Sequence, residues 1–84
     1  MYYVYILKLK GGDLYKGSTG SLKQIILRHK AGKVDSTRNK EPKLIHYECY
    51  LLKSDATRRE RFLKTTEGKR LLKQQLRDIL KKSP

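Results

Sequence analysis

A single cysteine, Cys49, is all the thiol this chain of 84 residues contains. That excludes an intrachain disulfide, and no Cys/His cluster has the spacing of a zinc site. Cys49 reads as a small core or sheet residue. Long apolar runs are also missing, so no stretch approaches the length of a membrane span and no membrane role is expected. Acidic residues are scarce: eight Asp and Glu stand against 21 Lys and Arg, for a formal net charge of +13. The excess is not a basic tail, because residues 1–52 carry ten basic groups against four acidic ones and residues 53–84 carry eleven against four. Positive charge spread over patterned segments points to a polyanion-binding protein, with nucleic acid the expected polyanion. A chain this short forms one domain, residues 1–84, without room for an enclosed chamber, so any site must be a shallow surface or groove. Met1-Tyr2-Tyr3-Val4-Tyr5-Ile6 enters a structured pattern directly, with no charged leader, and an intracellular protein is expected.

What the chain does have is period. Residues 2–9, rich in Tyr, Val, Ile and Leu, predict a strand covered on both faces. Gly11-Gly12-Asp13 supplies turn chemistry, and Leu14 to Thr19 predicts the second strand of a hairpin. Ser21 reads as the N-cap of a helix to about Ala31, closed by Gly32, with Leu22, Ile25, Ile26 and His29 on one stripe. Residues 33–42 read as a basic loop ended by Pro42. Lys43 to Leu52 predicts a third strand, with Leu44, His46, Glu48 and Tyr50 on one face and Ile45, Tyr47, Cys49 and Leu51 on the other. Ser54 and Asp55 open a second helix. Thr65-Thr66-Glu67-Gly68 marks a fresh start, after which Leu72, Leu76, Ile79 and Leu80 trace the stripe of a third. The expected fold is α/β (α+β): a three-stranded, mainly antiparallel sheet flanked by three helices, in the order β-β-α-β-α-α.

One residue breaks this pattern. Ala56, Glu60 and Leu63 share a helical face, and a carboxylate on a side meant for burial is costly unless a charge meets it. Glu60 therefore either pairs with a neighbouring Lys or Arg or lines a cleft and binds a divalent metal. Tyr5 and Tyr15, by the same residue-level reading, could be ordinary cross-strand aromatics. His46 reads as a packing or hydrogen-bonding residue, and Tyr2, Tyr3, Tyr47 and Tyr50 as sheet or core.

The ordered set of motifs adds to this. Val4-Tyr5-Ile6 is followed ten residues after Tyr5 by Tyr15-Lys16-Gly17. A helix ending in His29, then Gly32-Lys33, Ser36-Thr37, Pro42-Lys43-Leu44-Ile45, Tyr47-Glu48 and Asp55-Ala56 leading to Arg59-Glu60-Arg61 complete the series. The chain resembles the GIY-YIG nuclease family over nearly its whole length, and most of all its compact members related to the N-terminal nuclease module of the bacterial excision-repair endonuclease. The resemblance implies a DNA endonuclease hydrolysing phosphodiester bonds, with a role in DNA repair among those it suggests. Tyr5 and Tyr15 would position or deprotonate the attacking water, His29 would assist, and Glu60 would hold one divalent metal, Mg²⁺ or Mn²⁺. A lone carboxylate with retained waters suits magnesium's preference for oxygen.

Two departures qualify it. Lys16 stands where an apolar residue is usual, placing an exposed cation on the sheet. The family's catalytic arginine lies four residues before the histidine, and here that position is Ile25. A guanidinium there stabilises charge on the phosphate in the transition state, which isoleucine cannot do. Arg28, roughly one turn away, is the candidate substitute. Lys16, Lys33, Arg58, Arg61 and Lys64 are the candidate contacts to DNA, with RNA an open alternative partner. The alternative to an enzyme is a nucleic-acid-binding module on the same fold, its catalysis lost with the arginine.

Overall fold

The computed structural model describes residues 1–82. Strands β1 (Tyr2–Lys8) and β2 (Leu14–Thr19) form the hairpin, helix α1 (Leu22–Lys30) follows, and a single 3-10 turn (Asp35–Thr37) interrupts the loop before β3 (Lys43–Tyr50). Helices α2 (Lys53–Leu63), α3 (Thr66–Gln75) and α4 (Arg77–Lys82) complete the described chain. The sheet is antiparallel throughout, in the order β2-β1-β3. Gly11 and Gly12 both take positive φ, 96° and 99°, which is what closes the hairpin. No helix among the described residues is long and apolar enough to cross a membrane.

The unbroken apolar run of β1 follows from its central place. Val4 and Ile6 point to one face, where they pack with Ala56 and Leu63 from α2, Leu72 from α3 and Leu76 at the end of α3. Tyr5 and Leu7 point to the other, under Leu22, Ile25 and Ile26 of α1. Each face thus has its own small apolar core.

Four local expectations are corrected. The face assignment on β3 fails at its start, because the register slips between Ile6 and Leu7: Ile6 pairs with His46 but Leu7 with Leu44. Ile45 is the extra residue of a bulge, so Leu44 turns to the α1 side while Ile45 joins His46, Glu48 and Tyr50 on the α2 side. Ser54 is not the cap of α2; the helix starts at Lys53 after Leu52, and Asp55 in its first turn binds Arg58 instead. The C-terminal stripe spans two helices rather than one. The break at Leu76 resets its phase, leaving Leu80 packed but Ile79 38% exposed. Cys49 sits on the sheet but is exposed, not core.

Thr65 caps α3 as a fresh start demands: its hydroxyl accepts the Gly68 N–H at 3.0 Å and donates to the Phe62 carbonyl at 2.6 Å. On β3, Glu48 accepts hydrogen bonds from Arg59 at 3.0 Å and Tyr50 at 2.8 Å, with His46 at 3.0 Å from its other oxygen. Burial pushes the Glu48 carboxyl upward, but these donors together outweigh it and hold its pKa below the ordinary value. His46 therefore serves this structural network.

Candidate active site

The site wraps around β2, the edge strand of the sheet. On the α1 face, Tyr5 pairs across the ladder with Gly17, whose missing side chain lets the phenol lean over the strand. A Cβ at Gly17 would lie 2.5 Å from Tyr5 Cζ and 2.9 Å from Cε1. The ring reaches His29, the one buried residue of α1, with Oη 3.0 Å from Nε2. Tyr15 completes the group, its ring edge-on to His29 at 5.1 Å between centroids and tilted to Tyr5 at 6.2 Å.

Behind His29 stands Thr37, fully buried, with Oγ1 2.7 Å from Nδ1. The Thr37 hydroxyl has the Val34 carbonyl, 3.5 Å away, to donate to. A carbonyl can only accept, which orders the chain: Nδ1–H donates to Thr37, Thr37 donates to Val34, and Nε2 is left to accept from the Tyr5 phenol. Burial lowers the His29 pKa from its ordinary 6.5, so the imidazole is neutral at pH 7 and its Nε2 lone pair is available. Burial, then Tyr15 and the negative charge of Glu60, push the Tyr5 phenol well above its ordinary range. Tyr5 thus holds its proton, with both His29 and Tyr15 as hydrogen-bond partners.

Across the edge, Ser18 faces the α2 side, where its hydroxyl donates to Glu60 Oε1 at 2.5 Å. Lys64, one turn on at the C-cap of α2, reaches Oε2 at 2.6 Å. Burial acts to raise the Glu60 pKa, but the hydrogen bonds from Lys64 and Ser18 outweigh it and the pKa falls, so the group is a carboxylate. The ion-pair reading of Glu60 therefore holds at the level of its contacts. Arg61 adds to the positive field around it.

The remaining sequence candidates divide. Lys16 is on the same face of β2 as Ser18 but is not the exposed cation expected of it; it is half-buried in a cleft against Lys69 and Lys73 of α3. Arg58 lies two residues from Glu60 and so on another side of α2, bound to Asp55 at 2.8 Å. Lys33 is exposed in the loop after α1. Ile25 packs with Tyr15 into the core beneath α1. Lys23, Ile26 and Leu27 line an apolar groove of about 610 Å³ toward β3, with Tyr3, Leu44 and Tyr47. Arg28, three residues on from Ile25 along α1, is exposed and its side chain makes no hydrogen bond or ion pair among the described residues. Sequence reasoning missed Ser18 and Thr37 as members of the site. The Ser36-Thr37 pair was visible as a motif without a role, and Ser18 is the next residue after the second tripeptide.

Gly17→Ala tests the close approach on which this arrangement depends. The added methyl cannot share space with the phenol, so Tyr5 must swing and lose His29. A stability loss of about 1–3 kcal/mol is expected, together with altered ring resonances of His29 in NMR spectra. Unchanged His29 resonances in a folded variant would show that Tyr5 does not depend on this glycine.

A family model described as the GIY-YIG catalytic domain matches residues 1–74. Among curated proteins, the chain is 39% identical over 74 residues to a UPF0213 protein of Staphylococcus haemolyticus, covering 86% of this chain and 90% of the relative. It is 35% identical over 71 residues to one of Bacillus pumilus, covering 82% and 72%. With one of Clostridium perfringens the identity is 41% over 66 residues, covering 76% and 71%. No solved structure gives a significant match. The match of that model over residues 1–74, with these identities, shows that this chain belongs to the GIY-YIG catalytic domain family, a family of nucleases.

Proposed function

We propose that the chain is a metal-dependent endonuclease that hydrolyses phosphodiester bonds in DNA, slowed by the absence of an arginine at Ile25. The observation that carries this reading is the ordered relay from Tyr5 to His29 to Thr37, standing across one strand from an ionised Glu60. A water held at the Tyr5 oxygen can give up its proton as it attacks phosphorus, while Tyr5 passes its own proton to Nε2 of His29. Tyr15 packs against both rings and keeps them in place. Arg28, three residues on from Ile25 in α1, would meet the developing charge in place of the missing arginine.

Glu60 would hold the metal. Among the described residues no group of three or more His, Cys, Asp or Glu could hold an ion. A single hard carboxylate instead suits Mg²⁺ or Mn²⁺, which keep waters and take further oxygens from phosphate. The fit is good: Lys64 already places a positive charge on Oε2, and its own side chain is 54% exposed and free to withdraw. Bound there, the ion supplies Lewis acidity at the phosphate. Arg61 and Lys64 are proposed to contact the DNA backbone beside it, with Lys33 and Arg58 as more distant contacts.

The packing of Ile25 into the core favours one other reading, a nucleic-acid-binding module without catalysis. Incubation with supercoiled plasmid at low salt separates the two. Nicked circles should accumulate with Mg²⁺ or Mn²⁺ and stop with EDTA. Tight plasmid binding with no nicking under either condition would reject the enzyme and leave the module.

A further inference from the structure

We propose that the cleft between the start of β2 and α3 is a phosphate-binding subsite, which holds a backbone phosphate of the nucleic acid one nucleotide step from the phosphate at Glu60. The cleft has a volume of about 390 Å³ and is lined by Lys16, Lys69 and Lys73, with Gly12, Asp13 and Leu14 from the hairpin and Leu72 from α3. Three ammonium groups from two separate elements therefore converge on one concavity.

Among the described residues, none of the three cleft lysines forms an ion pair or a side-chain hydrogen bond; many surface lysines share that, but these three also share one cleft. Asp13 is the acidic residue at the cleft, and its field eases the repulsion on Lys16 without a direct contact. Lys69 and Lys73 are four apart on α3, an arrangement of like charges that costs a helix stability. Lys16 is the half-buried one of the three, while Lys69 and Lys73 are exposed. Its partial burial first, then Lys69 and Lys73, lower its pKa, and Lys64 adds to the repulsion. Such a cluster lowers its own energy by taking in an anion.

Position identifies which anion. Lys16 and Ser18 project from the same face of β2, about 6.6 Å apart along the strand, and Ser18 holds Glu60. Lys64 spans the gap, bonded to Glu60 and within the field of Lys16. A strand with one phosphate at Glu60 would run its neighbour into the lysines. This inference rests on the nucleic-acid reading above and names where the strand continues.

The test has two arms on the full chain. Inorganic phosphate titrated into the ¹⁵N-labelled protein should shift amides of Asp13 to Lys16 and Lys69 to Lys73, and these shifts should vanish in Lys16→Gln/Lys73→Gln. A short fluorescein-labelled DNA duplex, followed by anisotropy over a range of NaCl, reads the second arm. That double variant should lose about one from the slope of log affinity against log salt, as one phosphate contact is removed. The control Lys30→Gln/Lys81→Gln removes equal charge away from the cleft and should keep the native slope. If the native chain binds the duplex but both double variants behave alike, or phosphate shifts spread evenly over all lysines, the subsite is wrong. If the native chain shows no salt-dependent duplex binding, the nucleic-acid reading itself fails and takes this role of the cleft with it.

Discussion

Ile25→Arg is expected to speed plasmid nicking by about a hundredfold over the native chain, the scale on which one preorganised charge donor acts at a transition state. The substitution places a guanidinium on the helix that packs over Tyr5, and that also carries His29 of a relay already assembled from Tyr5, His29 and Thr37. Ile25 is only partly buried, so the loss of its packing costs about 1–2 kcal/mol, and the aliphatic stem of arginine recovers part of that. A melting curve in parallel separates misfolding from chemistry. Glu60→Gln, in the native and the Ile25→Arg backgrounds alike, should reduce nicking to the level of the buffer. It removes the ionised carboxylate and keeps one acceptor oxygen, enough for Ser18 or Lys64 but not for both as they now stand. A folded Ile25→Arg that nicks no faster than native would show that the charge is missing from somewhere else. Nicking that survives Glu60→Gln in both backgrounds would place the chemistry outside this site.

Much of this arrangement is legible in the sequence, because it depends on local rules. The hairpin follows from Gly11-Gly12 and the alternation around it, and the register of β1 with β2 then sets Tyr5 opposite Gly17 and brings Tyr15 alongside. The start of α3 is visible in Thr65, whose cap is a short-range hydrogen bond. Features that depend on the third dimension are not legible. The bulge at Ile45 is a mismatch between two strands forty residues apart, and no single-strand alternation reveals it. Glu60 stands out as a carboxylate on an apolar face, but which of many cations would meet it is decided by the i,i+4 reach of Lys64 and by Ser18 across the sheet. Thr37 looks like a loop residue until the 3-10 turn carries it beneath His29. Lys16 looks like a surface charge until α3 folds over it.

Gly68→Ala should be the most destabilising small substitution in the chain, although helix propensity predicts the reverse. Gly68 lies in the first turn of α3, where alanine would ordinarily add up to about 1 kcal/mol. Its φ is not positive, so conformational freedom is not the reason for glycine here. The reason is the approach of α2: a Cβ at Gly68 would collide with the Phe62 carbonyl oxygen and lie 2.7 Å from its carbon and 2.9 Å from Leu63 Cα. These are backbone atoms, and Phe62 O is also bonded to the Thr65 hydroxyl, so none of them can rotate aside. The two helices must separate, disturbing Leu63 and Leu72 where they pack on Val4 and Ile6. A net loss of about 2–3 kcal/mol is expected, and with it a fall in melting temperature of about 10–20 °C. Gly20→Ala is the control, since its Cβ would meet only Tyr2 ring carbons at 3.7 and 3.9 Å, and it should melt close to the native chain. A Gly68→Ala protein as stable as the native one would mean that α2 and α3 do not meet this closely. That result would reach the site as well, because α2 carries Glu60, with Lys64 as its C-cap, while α3 carries Lys69 and Lys73. Their spacing across the cleft is set at this junction.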